Sequence, residues 1–210
     1  MAHGALTAPS DVPGWPRLFL GYNTLPDPPF PLVGYLQYEL TPQAGELALP
    51  RLLRAMAESM RAQPVPPKES FDEARQRVAT AMRVDAMVVV VRARAFVPSQ
   101  SEGARALLAN LLEGFYRDGD AEACADAREA AVALAVDRAG DRVALIAERD
   151  PSGAYATPAR LEAEHSTTTT ARGDAEVLAR GGGAVPAEVF GLLGEVLDAQ
   201  YTWTKAAFAL

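Results

Sequence analysis

DAMVVVVRARAFV, Asp85 to Val97, decides how the rest of the chain is read. Four consecutive valines, Val88 to Val91, favour a strand, because branching at Cβ restricts χ1 and suits a pleated surface. An unbroken apolar run means cover on both faces, which places this strand in the interior of a sheet. Beyond Val91 the pattern alternates. Arg92, Arg94 and Phe96 point one way, and Val91, Ala93, Ala95 and Val97 the other, until Pro98 closes the ladder. Two guanidinium forks about 7 Å apart on one face match the geometry of a phosphate or carboxylate clamp. Pairing with surface carboxylates is the favoured account of both arginines.

Working outward, the preceding segment is helical in pattern. Ser70 with Glu73 forms a capping box, and Phe71, Ala74, Val78, Ala81 and Met82 make its apolar stripe. An earlier helix is expected over Glu46 to Met60, with Leu49, Leu52, Leu53, Met56 and Met60 on one side and Pro50 in its first turn. The N-terminal third is rich in proline: twelve of sixteen prolines precede Lys68. Residues 1–14 read as a flexible arm, and 15–210 as a single domain. Trp15 to Tyr22 and Leu32 to Leu40 are strand candidates on either side of NTLPDPPFP, which can form neither a helix nor a central strand.

Downstream, a helix starts at Ser99 or Ser101. Leu107, Leu108, Leu111, Leu112 and Phe115 form its stripe, and Asp118-Gly119 its end. Ala121 to Ala130 suggests another helical turn or two. A β-meander follows, with Val132 to Val136 and Val143 to Leu145 joined through Ala139-Gly140-Asp141. Asp150-Pro151-Ser152-Gly153 has the pattern of a type I turn. Tyr155 then opens a further strand. Residues 158–170 fit either helix or strand, with a strand from Leu161 to Thr170 favoured. Asp174 to Arg180 reads as a short helix or turn, and Gly181 to Ala184 as a joint. The last helix opens at Pro186 and carries Val189, Phe190, Leu193, Val196, Leu197, Tyr201 and Phe208 on a wide apolar face. The order of elements implies an α+β fold: an antiparallel sheet of five to seven strands with helices packed mainly on one face.

Composition narrows the chemistry. The net charge is −7 with the signs well mixed, which argues against nucleic acid as the main partner. Eighteen arginines against two lysines, with abundant alanine, point to a GC-rich bacterial genome. The single cysteine, Cys124, allows no internal disulfide. No run approaches the roughly 20 apolar residues of a membrane span. MAHGALTAPSD lacks the basic start and apolar core of a signal peptide, so a cytoplasmic location is expected. No metal or cofactor is expected: there are two histidines, His3 and His165, and the DGDAE acids at Asp118, Asp120 and Glu122 lack the EF-hand order. Gly181 to Gly183 match neither a P-loop nor a dinucleotide fingerprint.

Two classes of function remain. The first is a non-catalytic protein-interaction or assembly protein, adaptor-like, chaperone-like or an oligomeric scaffold. Its contacts would come from the last helix, through Phe190, Tyr201, Trp203 and Phe208, with homodimerisation as one outcome. The second is a small-ligand protein or enzyme with an anion pocket near Arg92 and Arg94, joined by Tyr155 and His165. A structural part of a phage or secretion machine is a third expectation.

Overall fold

The computed structural model describes residues 16–24, 33–38, 40, 49–65, 82–117, 119–160, 167–170, 175–179 and 187–208. The N-terminal arm, the capping box at Ser70, His165 and the triple glycine lie outside these residues. The fold is α+β, as the order of elements implies.

The centre is β3, Met82–Phe96. Its long edges set the layout. On one side runs β4 (Arg128–Asp137), followed by β5 (Arg142–Glu148) and the short β6 (Ala159–Arg160). On the other side lies β1 (Arg17–Thr24), with β2 (Val33–Tyr38) beyond it. The resulting order β2-β1-β3-β4-β5-β6 is antiparallel throughout. β1 accompanies β3 only as far as Val90. The distal half of the same edge, Arg92 to Phe96, pairs in parallel with β8 (Ala175–Ala179), and β7 (Thr167–Thr170) pairs with β8. Within the stretch expected as a helix or turn, Asp174 to Arg180, residues Ala175–Ala179 are therefore a strand. An interior strand fifteen residues long leaves backbone groups that must be paired, and β8 supplies the partners that β1 is too short to reach.

The four valines are buried on both sides. Val89 and Val91 belong to the larger core, and Val88 and Val90 to a smaller one on the opposite face. Full burial of a valine contributes about 1.5–3 kcal/mol, so this short run is a main source of stability. One irregularity resets the alternation. Gly21 pairs Ala86 while Tyr22 pairs Val84, which leaves Asp85 as an extra residue. This bulge lets Val84 and Met87 share the first face, although strict alternation would separate them. Met82 opens the strand opposite Thr24 and does not continue a preceding helix.

The first face is covered by α1 (Leu49–Ala62) and α4 (Ala187–Phe208). Leu52 and Leu53 from α1 and Leu193, Val196 and Leu197 from α4 form the centre of this layer. The two helices run parallel. Arg54 pairs with Glu188 and Arg61 with Glu195, at the same sequence offset, and Trp203 Nε1 donates to the carbonyl of Pro64 at 3.4 Å. Seven residues are two turns of either helix, so both ion pairs fall on the same seam. Tyr38 OH donates to Gln200 Oε1 at 2.8 Å and ties β2 to α4.

The second face is lined by Phe19, Val88, Val90 and the alanines 131, 133 and 135. At its distal end α2 (Glu102–Glu113) and the single turn α3 (Asp120–Ala123) pack around Phe96. Here the structure corrects one expectation and narrows another. α2 ends at Gly114, which takes the left-handed conformation (φ 77°), and not at Asp118-Gly119. The alanine-rich stretch yields only one helical turn, because Arg128 to Ala130 already pairs with β3 and β5. Tyr155 opens no long strand. It makes one bridge to Arg149, and β6 follows.

Candidate functional site

Alternation along β3 sends Arg92 and Arg94 onto the second face, and register determines what they meet. Arg94 lies opposite Glu129, and Arg92 opposite Ala131. Glu129 in turn accepts the backbone N–H of Arg149 at 2.8 Å, and Arg149 bridges Tyr155. Directly opposed residues share a face. A row therefore crosses the sheet in the order Arg94, Glu129, Arg149, Tyr155. With strands spaced 4.7–4.9 Å apart, its ends are about 14 Å apart. Arg92 stands one pleat repeat away from Arg94, and Arg17, opposite Val90, one step further along.

Charge alternates along this row. Arg149 Nη1 donates to Glu129 Oε2 at 3.0 Å, and its Nε donates to the carbonyl of Gly153 at 2.9 Å. The hydrogen bond and charge of Glu129 hold the Arg149 guanidinium protonated beyond its ordinary range. Arg94 Nε lies 3.9 Å from Glu122 Oε1 on α3. Next to Arg149, Asp150 organises the turn. Its Oδ1 accepts from Ser152 N at 2.8 Å, Ser152 Oγ at 2.5 Å and Ala154 N at 3.1 Å. The Ser152 hydroxyl, with the backbone donors, holds the Asp150 carboxyl below the usual carboxylate range despite some opposing desolvation. The DPSG pattern thus becomes a turn closed by Gly153 N–H on the Asp150 carbonyl at 3.0 Å.

Arg92, Arg94 and Tyr155 therefore lie on one face, with Tyr155 three strands from the arginines. His165 lies outside the described residues. Sequence reasoning missed Glu122, Glu129 and Arg149. Parity within β4 does put Glu129 on the same face as Ala131 and Ala133, but only the pairing places it beside Arg94. Among the described residues no three His, Cys, Asp or Glu side chains come together to hold a metal ion. A row of guanidinium and carboxylate groups can exchange partners with a charged ligand or protein surface, since exposed pairs of this kind are worth only about 0–1 kcal/mol.

Three of the residues expected to make contacts on the last helix, Phe190, Tyr201 and Trp203, have partners within the chain. Phe190 is buried in the core, with the Arg142 guanidinium 5.7 Å from its ring centre. Tyr201 is half-buried, and the Arg138 guanidinium lies 3.3 Å above its ring. Trp203 is held to Pro64. The side chain of Phe208 lies outside the described residues.

Among the described residues, the two most exposed large apolar side chains lie at the end of α2. Leu107 and Leu111 pack on Phe96, but Leu112 is 64% exposed and Phe115 67%. The helix terminus holds this tip in place. The N–H groups of Gly114, Phe115 and Tyr116 all converge on the carbonyl of Asn110, the last two at 2.9 and 3.0 Å. At the other end Ser101 Oγ accepts the Ala104 N–H at 3.0 Å and donates to Asp126. Cys124 is half-buried against the same cluster. No helix among the described residues is long and apolar enough to cross a membrane.

No family model matches the chain, and no curated protein or solved structure matches it significantly.

Proposed function

We propose that the chain is a non-catalytic protein-interaction or assembly protein of the bacterial cytoplasm, and that the tip of α2 is its contact surface. The observation that carries this reading is the exposure of Leu112 and Phe115 on a backbone fixed by its own cap. Large apolar side chains grouped on a rigid element lower the ordering cost of association. The partner is a protein presenting an apolar surface to this tip. A single cysteine supports the compartment, and the preference for arginine over lysine supports the bacterial source.

The test is co-purification of the full chain from its native host, comparing wild type with the Leu112→Ser/Phe115→Ser double variant by quantitative mass spectrometry. A defined partner recovered with wild type and lost with the double variant, at unchanged melting temperature, is the expected result. Identical partner sets for both proteins would overturn the reading.

A second reading, an anion-binding site, is favoured by Arg92, Arg94 and Arg149 sharing one face, with Arg94 only loosely paired at 3.9 Å. Phosphorylated or carboxylate ligands would then raise the melting temperature of wild type and not of Arg92→Ala/Arg94→Ala.

A further inference from the structure

β2 is the terminal strand of the sheet, and among the described residues only β1 pairs with it. Every second residue of an edge strand turns its N–H and C=O outward, ready to pair with another strand. Natural edges are usually blunted by charge, by proline or by cover from the same chain. The opposite edge of this sheet follows that rule. β6 pairs with Leu145 and Ile146, Tyr155 bridges Arg149, and the Ala156 N–H donates to the Glu148 carbonyl at 2.8 Å.

β2 has none of these devices within it. Its sequence, VGYLQY, contains no charged residue and no proline. The other strands of five or more residues each carry at least one charge. Where a lysine would commonly guard such an edge, Leu36 is 54% exposed. The strand is also held in place from behind, through the Tyr38 hydrogen bond to Gln200 of α4.

We propose that β2 pairs antiparallel with β2 of a second copy of this chain, about a two-fold axis at Leu36. An uncharged strand is complementary to itself, because its copy brings no like charge. This matters for a chain of net charge −7. With the axis at Leu36, Leu36 lies opposite Leu36 of the partner subunit on one face, and each covers the other's exposed surface. Tyr35 then opposes Gln37, and Gly34 opposes Tyr38. Pro31 before the strand and Pro42 after it cannot donate to a ladder, which confines the pairing to this segment. The symmetry closes, so the product is a dimer and not a fibre. A seam of six residues is small, so the dimer is a weak one whose population depends on concentration. It is separate from the α2 tip, so either surface can fail without the other.

The test is the solution mass of the full chain by light scattering across micromolar concentrations. Wild type is expected to approach twice 22.3 kDa. Leu36→Lys and Leu36→Glu, each alone, are expected to fall to the mass of one chain. An equimolar mixture of the two should return to the doubled mass, because opposite charges then face each other. The Leu112→Ser/Phe115→Ser variant should keep the doubled mass. A single-chain mass for wild type, doubled mass in both Leu36 variants, or a mixture that stays monomeric would overturn the proposal. Amide hydrogen exchange on wild type gives a check free of variants. Exchange in β2 must slow as concentration rises, and concentration-independent exchange would overturn the proposal too.

Discussion

Val89 is fully buried between β1 and β4, facing the layer formed by α1 and α4. Val89→Asp would place a carboxylate there with no room for water. The cost of such an unpaired buried charge is several kcal/mol, a large share of a typical total stability of about 5–15 kcal/mol. The variant is expected to lose its cooperative melt, read by far-ultraviolet circular dichroism, whereas Asp85→Asn, at an exposed bulge, should melt like wild type. A native spectrum for Val89→Asp would mean that the valine run is not interior. Tyr38 gives a prediction in pH. Burial pushes its hydroxyl up to about 12 from the ordinary 10.0. Above pH 10 the unfolded chain releases this proton while the folded chain keeps it. Stability therefore falls as pH rises from 10 to 12, by about 3 kcal/mol at most. Tyr38→Phe has no such proton. Its denaturant midpoint should fall less steeply than that of wild type over this window, and parallel curves would contradict the burial of the hydroxyl.

Among the elements, α2 shows what one residue at a helix terminus does. Ser101→Ala removes the oxygen that accepts the Ala104 N–H and leaves Asp126 without that donor. The expected loss is about 1–2 kcal/mol, seen as a lower melting temperature with the sheet signal retained. An unchanged melting temperature would mean that the cap is idle. Elements with a local signal were legible in the sequence. Four valines specify β3, the leucine stripe specifies α1, and the wide apolar face from Val189 to Leu197 specifies α4. The close of α2 was misread, because a helical stripe continues through Leu112 and Phe115 although Gly114 has already turned the backbone. That misreading concealed the exposure of Leu112 and Phe115. Apolar residues at helical spacing read as core, whereas burial depends on what lies opposite, and Leu112 and Phe115 have no core opposite them.

For the whole molecule, the α+β class and the central strand follow from patterning, but pairing does not. β8 was read as a helix or turn because its five residues carry no signal apart from the unpaired half of β3 that they complete. The charged row has the same origin. Alternation places Arg92 and Arg94 on one face, yet Glu129, Arg149 and Tyr155 join them only through lateral register. The last helix shows the converse. Its apolar face was ambiguous between core and partner, and the sheet together with α1 takes it up. This shifts the search for contacts from α4 to the tip of α2. The most direct test is a photoreactive phenylalanine analogue placed at position 115, with position 51 on the exposed side of α1 as control. Illumination in the native host should give one discrete heavier adduct from position 115 and none of that mass from position 51. No adduct at 115, or the same adducts at both positions, would contradict the assignment of the α2 tip as the contact surface.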